Sequence, residues 1–224
     1  MSAAPGEPAD RRNEPSSLVT GVLAGVASAG VLLQFYLSLR LASANGQSLA
    51  FGVVSYFGYF TILTNLLVCL ALALPLLARA SAGGRLFERP SVAAGVATSI
   101  AFVGLAYHLL LRHIWAPQGL QWLADVLLHY AVPASYVLYW WFALPKGALR
   151  WTDPLVWSAY PGVYLAYALA RGAAIGSYPY PFIDVSAIGY GQAMINALGL
   201  LIAYIGLGLV VVSLGKVKAR YNKE

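Results

Sequence analysis

A hydroxyl, an imidazole and a carboxylate together can perform nucleophilic hydrolysis, and this sequence places one of each within apolar segments. Thr61 lies in the second apolar segment, and Asp125 and His129 lie one helical turn apart in the fourth. A threonine hydroxyl becomes a nucleophile when an imidazole takes its proton, and a carboxylate can orient that imidazole. The pattern makes Thr61 the candidate nucleophile, His129 the candidate base and Asp125 the candidate orienting group.

Other polar side chains fall toward the same end of their apolar segments when these cross a bilayer in alternate directions. Because helical neighbours are three or four residues apart, Asn65 shares a face with Thr61, and His108 shares one with Arg112. Polar groups inside a membrane are costly and commonly mark a functional site. We therefore add supporting candidates and candidates for binding a substrate headgroup. The supporting residues are Asn65, His108 and Asn196, and the headgroup residues are Arg112 and Arg171.

The composition determines the broad class of the protein. Of 224 residues, 60% are apolar and only 10% are charged, and the mean hydropathy is +0.70. This chain has too little polar surface for a soluble globule, and its segments between apolar runs are too short to form a soluble domain. We expect an all-α polytopic membrane protein whose partners are membrane lipids. The sequence shows no basic and aromatic pattern for binding nucleic acid, and it does not indicate protein partners.

Apolar runs near twenty residues in length predict a bundle of six transmembrane helices. The predicted helices are Leu18–Leu39, Val53–Leu77, Ser91–His113, Gln121–Leu144, Pro154–Arg171 and Gly191–Leu214. The predicted domains are a disordered cytoplasmic tail at 1–17, the six-helix transmembrane domain at 18–215 and a basic cytoplasmic tail at 216–224.

The Lys and Arg residues predict the orientation of this bundle. Of 14 such residues, all but Arg40, Arg112 and Arg171 lie in the tails and the even-numbered links. Since cytoplasmic segments carry the excess of Lys and Arg, both termini are expected in the cytoplasm.

Proline adds a local feature to two of the predicted helices. Pro133 has no N–H and lies four residues after His129, so we expect a kink and an unpaired carbonyl beside the imidazole. Pro161 predicts a similar kink near Trp157.

Two other functions remain open from the residues. His108 and His129 could be axial ligands of a b-type haem, and intramembrane Asp and His could couple protons in a small transporter. The familiar soluble-enzyme motifs are missing, as is any pattern for a metal site. The hydrolase hypothesis needs no cofactor and no metal.

Three stretches carry a resemblance to a known family. They are Tyr-Phe-Thr-Ile-Leu-Thr-Asn at 59–65, Leu-His-Tyr-Ala-Val-Pro at 128–133, and Tyr-Pro-Tyr-Pro-Phe-Ile-Asp ending at Asp184. In their order and placement they resemble a bacterial branch of the androgen-induced, FAR-type family of multispanning membrane proteins. The resemblance extends over nearly all of the chain from the first helix to the sixth.

The resemblance implies an activity and a location. Characterised vertebrate members of that family are intramembrane threonine hydrolases that cleave fatty acid esters of hydroxy fatty acids with one Thr and one His. The matching positions here are Thr61 and His129. The implied substrate is a lipid ester, and the implied location is the bacterial plasma membrane. The Tyr-Pro-Tyr-Pro link and the Thr-x-x-Thr-Asn continuation depart from the vertebrate pattern, so fold and residue pair carry over better than substrate.

Overall fold

A computed structural model describes residues 16–147 and 149–221, and within these ranges the chain is helical with no β-strand. The α-helices of this part are α1 (Ser17–Ala44), α2 (Leu49–Tyr56), α3 (Phe60–Leu77), α4 (Ala82–Phe87), α5 (Pro90–Ala106), α6 (Gly119–Val126), α7 (Val132–Ala143), α8 (Asp153–Trp157), α9 (Ala159–Ile175) and α10 (Val185–Tyr221). A π-helical turn at Tyr107–Leu111 extends α5, and a second at Leu127–Ala131 joins α6 to α7. A 3-10 turn at Pro181–Ile183 precedes α10.

Within residues 16–147 and 149–221, four helices are long and apolar enough to cross a membrane, which supports an integral membrane protein. They are Ser17–Ala44, Phe60–Leu77, Pro90–Leu111 and Val185–Tyr221. The predicted tail at 1–17 lies outside the described residues except for its last two. Of the predicted basic tail at 216–224, the part through Tyr221 continues α10, and the remainder lies outside the described residues.

The described chain begins and ends at the same end of the bundle. Thr20 near the start of α1 hydrogen-bonds the hydroxyl of Tyr139 near the end of α7, at 3.1 Å. The Lys218 ammonium near the end of α10 donates to the backbone carbonyl of Trp141. At the other end, which we call the distal end, Gln121 at the start of α6 donates to Gln34 of α1 at 2.7 Å.

The core lies around α3 and α5, which pack on each other and on α1, α7 and α10. Large side chains that are almost completely buried fill the space between them, including Leu72, Ile100, Tyr136 and Trp140. One buried polar contact joins α5 to α10, where Ser99 and the hydroxyl of Tyr204 lie 2.8 Å apart. Among the buried side-chain nitrogen and oxygen atoms of the described residues, only Asn65 Oδ1 and Trp140 Nε1 lack a hydrogen-bond partner, which fits the need to satisfy polar groups inside a membrane.

The prediction of one helix over Val53–Leu77 is wrong. The chain leaves α2 at Phe57 and starts α3 at Phe60, with Tyr59 in an extended conformation. The Tyr164 hydroxyl of α9 donates to the carbonyl of Gly58 at 2.9 Å, which satisfies a backbone group that the break leaves without a helical partner. Thr61 therefore lies in the first turn of α3 rather than several turns into a longer helix.

The two prolines act close to where the sequence predicts. The π-helical turn Leu127–Ala131 ends two residues before Pro133, and its last hydrogen bond runs from the N–H of Val132 to the carbonyl of Leu127. A five-residue spacing would next pair the Leu128 carbonyl with residue 133, which has no N–H. Ahead of Pro161, the fifth predicted helix breaks at Ser158, between α8 and α9.

Candidate active site

Thr61 is buried in the first turn of α3, and its contacts come from the link that leads to α10. The Tyr180 hydroxyl accepts a hydrogen bond from the backbone N–H of Thr61 at 3.3 Å and lies 3.4 Å from its side-chain hydroxyl. N–H groups in a first helical turn have no intrahelical acceptor and carry the positive end of the helix dipole. The nucleophile candidate therefore combines a hydroxyl with a backbone donor suited to an oxygen that gains negative charge.

His129 is held by Asp125 and Tyr107. Its Nδ1 lies 3.1 Å from Oδ1 of Asp125 and 3.1 Å from the backbone carbonyl oxygen of the same residue. The other carboxylate oxygen of Asp125 accepts from the Tyr107 hydroxyl at 2.7 Å. The Tyr107 ring also stacks on the imidazole, with centroids 3.8 Å apart and planes 11° apart. Position and ring plane of His129 are thus both constrained by buried neighbours.

These contacts determine which nitrogen of His129 can act as a base. Both oxygens near Nδ1 are acceptors, so a neutral ring places its proton on Nδ1. Nε2 then carries the lone pair, and it makes no hydrogen bond to any residue within 16–147 or 149–221. The sequence prediction that Asp125 orients His129 agrees with this geometry, which matches the carboxylate and imidazole part of a catalytic triad.

Asn65 connects the two halves of the site. Its side-chain amide donates to the carbonyl of Thr61 at 2.8 Å and to the carbonyl of Leu128 at 3.2 Å. The second acceptor is the carbonyl that the π-helical turn and Pro133 leave without a backbone partner. Asn65 is completely buried, and it fixes α3 against the turn that carries His129. Its role here is to position the site.

Two cavities meet at Thr61. The first has a volume of about 510 Å³ and lies toward the distal end. It is the more polar of the two, since its lining includes Asp125, His129 and Arg171, and we call it the polar cavity. The apolar cavity has a volume of about 300 Å³, and α9 and α10 form much of its lining. Thr61, Tyr107, Leu111 and Tyr180 line both. The candidate nucleophile therefore lies on a wall that separates a polar compartment from an apolar one.

Four of the predicted residues line neither cavity: Asn65, described above, and His108, Arg112 and Asn196. His108 is exposed and contacts the hydroxyl of Tyr130 and the guanidinium of Arg112, which is itself exposed. The structure therefore does not bring His108 and His129 to one cavity. Asn196 accepts from Gln192 at 2.9 Å and donates to the carbonyl of Phe182 at 3.0 Å. Its contacts hold the 3-10 turn against α10.

Arg171 lines the polar cavity and also supports the break between α2 and α3. Its guanidinium donates to the carbonyl of Val54 at 3.1 Å and to that of Ser177 at 3.0 Å. A side chain at position 58 would clash with this guanidinium, since a Cβ there would lie 2.7 Å from its central carbon. Gly58 thus permits the close approach of Arg171.

The sequence patterns do not predict Tyr107 and Tyr180 as site residues. Tyrosines are common at membrane interfaces, and neither residue stands at helical spacing from Thr61 or His129 in a way that signals contact. The one available signal for Tyr180 was its place in the Tyr-Pro-Tyr-Pro link. The contact of Tyr180 with Thr61 joins residues 119 positions apart, which no local pattern encodes.

Comparison with known proteins does not assign this site. No protein-family model, curated protein or solved structure matches the chain. Among the described residues, no group of three or more His, Cys, Asp or Glu side chains is arranged to hold a metal ion.

Proposed function

We propose that this protein is an intramembrane hydrolase of fatty acyl esters that uses Thr61 as nucleophile and His129 as base. One observation carries the proposal: Thr61 lies on the wall shared by an apolar and a polar cavity, and His129 lines the polar one with Asp125. In an ester of a fatty acid with a polar alcohol, the carbonyl lies between an apolar acyl chain and a polar alcohol group. The family resemblance of the sequence motifs points to the same pair of residues.

The first half of the reaction forms an acyl-enzyme. The Oγ1 of Thr61 attacks the ester carbonyl as its proton passes to Nε2 of His129. The resulting tetrahedral intermediate collapses, the bond to the alcohol oxygen breaks, and His129 returns the proton to that oxygen. Asp125 stabilises the imidazolium that forms in between, since its carboxylate contacts Nδ1.

The backbone N–H of Thr61 is the oxyanion donor in this proposal. It now donates to the Tyr180 hydroxyl, which stands where a substrate carbonyl oxygen would have to lie to receive that hydrogen bond. When substrate displaces this oxygen, the phenol can turn to donate its own proton to the oxyanion. One such donor typically contributes about 10²- to 10³-fold to the rate.

The second half of the reaction releases the acyl chain. A water molecule from the polar cavity loses a proton to His129 and attacks the carbonyl of the acyl-threonine ester. Collapse of this intermediate breaks the bond to Thr61 Oγ1, which regains its proton from His129. The products are a fatty acid and an alcohol.

We also propose the six-crossing arrangement with both termini in the cytoplasm. In addition to the four long apolar helices, the α6 to α7 segment runs from the distal end to the end where the chain begins. The fifth crossing is α9, which follows Trp157, a hydrogen-bond partner of Ser91 at the start of α5, and ends beside α2 through Arg171. The Lys and Arg distribution supports the orientation, and the sequence motifs support a place in the FAR-type family of bacterial plasma membranes.

A covalent probe tests the proposed nucleophile. The purified protein is incubated with a lipid-like fluorophosphonate, and labelling is compared among wild type, Thr61→Ala and His129→Ala. We expect labelling to be lost in both variants. Two matched controls should label normally: Thr64→Ala, one turn further along α3 and paired with Tyr160, and His108→Ala at the exposed surface. Thermal unfolding of each variant checks that it is folded. Labelling of Thr61→Ala at the wild-type level contradicts the proposal.

A further inference from the structure

The two cavities reach different surfaces of the molecule. Lining residues of the polar cavity that are exposed, such as Leu41, Ile114 and Trp115, lie at the distal end where α1 stops and the link to α6 begins. Exposed lining residues of the apolar cavity lie instead on the long helices. In α10, Leu198 is 58% exposed and Met194 is 39% exposed. Because these residues both line a cavity and are exposed, we take them to mark the opening of that cavity.

The opening of the apolar cavity lies between α9 and α10. On the α9 side its lining includes Pro161, Gly162 and Leu165, and Gly162 has no atom within 4 Å of the position a Cβ would take. The outward-facing α10 residues Ile195 and Ile202, which line neither cavity, are also exposed and apolar. In an integral membrane protein such a surface faces lipid tails. The slot between α9 and α10 thus joins hydrocarbon on the outside to Thr61 on the inside.

We propose that this slot is an acyl-chain portal, in which one fatty acyl chain of a bilayer lipid binds with its carbonyl end at Thr61. The proposal rests on the proposed hydrolase function and adds the route and the binding residues. The chain passes between Gly162 and Leu198 and lies in the apolar cavity, whose volume of about 300 Å³ is at the lower limit of ligand pockets. The rest of a long chain then extends through the slot into the bilayer.

The geometry also separates the products. The fatty acid can return through the slot to the membrane, and the alcohol can leave through the polar cavity and its distal mouth. Water for the second half of the reaction enters by the same mouth. The ester is thus bound with its acyl side toward α10 and its alcohol side toward His129.

Photocrosslinking with a fatty acid tests the portal without relying on catalysis. Full-length Thr61→Ala protein in lipid nanodiscs is incubated with a long-chain fatty acid that carries a diazirine in its tail, and adducts are mapped by mass spectrometry. We expect adducts on α9 and α10 residues of the apolar cavity. Leu198→Trp should reduce labelling about tenfold, because its indole would take the place of roughly two methylene groups of the bound acyl chain, whose apolar contacts are then lost.

Ile195→Trp is the matched control. Ile195 is exposed on α10, as Leu198 is, but it lines neither cavity, so its replacement should leave labelling unchanged. Leu198→Ala, which widens the slot, should retain or increase labelling and covers the case in which Leu198→Trp does not fold. Equal labelling of Leu198→Trp and Ile195→Trp, or adducts confined to the distal mouth, overturns the portal.

The outcomes also separate this inference from the proposed function. Normal fatty acid labelling with no Thr61-dependent fluorophosphonate reaction keeps the portal and removes the hydrolase. Fluorophosphonate reaction at Thr61 without α9 and α10 adducts keeps the hydrolase and removes the portal.

Discussion

The hydroxyl oxygen of Tyr180 lies 3.3 Å from the backbone nitrogen of Thr61 and 3.4 Å from its side-chain oxygen. This oxygen therefore stands beside both groups that an ester carbonyl would meet in the proposed hydrolysis, the attacking hydroxyl and the donor in the first turn of α3. Tyr180 is held by its neighbours, with its ring stacked 5.1 Å from that of Phe182 and edge-on to Tyr59. A phenol in this position can donate to the oxyanion once substrate takes its place.

Replacing Tyr180 by Phe tests this role. Because the variant keeps the ring and removes the donor, we expect kcat for ester hydrolysis to fall about 10²-fold with little change in KM. The measurement is steady-state hydrolysis of a fluorogenic fatty acyl ester by the purified protein. A kcat at or above the wild-type value would show instead that the hydroxyl only obstructs Thr61.

Asp125→Asn should abolish the proposed ester hydrolysis while leaving the fold intact. An amide in place of the carboxylate can donate to Nδ1 of His129, which favours the tautomer with its proton on Nε2 and so removes the base. We expect kcat to fall by about 10³-fold or more. The control is Asp184→Asn, since Asp184 lies just before α10, its carboxylate accepts from the backbone N–H of Ser186 in the first turn of that helix, and it lines neither cavity. Equal activity in the two variants would remove Asp125 from the mechanism.

The hydrogen bond from Asn65 to the Leu128 carbonyl predicts a coupling to Pro133. Asn65→Leu leaves that buried carbonyl without a partner, so the free energy of unfolding should fall by about 1 to 3 kcal/mol. In a Pro133→Ala background the new N–H at position 133 can pair with the Leu128 carbonyl. Asn65→Leu should then lower the free energy of unfolding by a smaller amount. A double-mutant cycle of unfolding in detergent measures the difference. Additive effects would show that position 133 does not leave this carbonyl unpaired.

Lys146 predicts a pH dependence of stability at the end of the bundle where the chain begins. Burial, with a contribution from Lys218, lowers the pKa of Lys146 to about 8. Since its pKa is lower in the folded protein, folding releases a proton, and stability should rise as the pH increases above about 8. Lys146→Met removes this contribution, so the difference in unfolding temperature between wild type and variant should change from pH 7 to pH 9. A constant difference would contradict the prediction.

Local patterns predicted the parts of the site that lie within one helix. The pairs Asp125 with His129, and Asn65 with Thr61, are in contact because residues four apart lie on one helical face whatever the rest of the chain does. Hydropathy likewise located the long apolar helices, since the length of a span is set by the thickness of the bilayer. The fifth predicted helix is broken at Ser158 for a local reason, because the proline at position 161 has no N–H to continue the helix.

Long-range contacts decided what the patterns could not. The chain breaks at Gly58 because Tyr164 and Arg171, both on α9, supply the hydrogen bonds and the close packing that a continuous helix would not need. The periodicity of the second apolar run does not reveal this break, so a single helix was predicted from Val53 to Leu77. The rotation of α10 likewise determined that Asn196 supports a turn instead of lining either cavity.

The sequence by itself determined that this is a helical membrane protein and that a hydroxyl, an imidazole and a carboxylate occur in its apolar segments. Composition and helical periodicity suffice for both, because they depend only on hydropathy and on residues within one turn. Tertiary structure alone decided that Thr61 lies between an apolar and a polar cavity, with Tyr180 against it. The positions of α3, α9 and α10 relative to one another follow from packing between distant segments, and those positions create the two cavities.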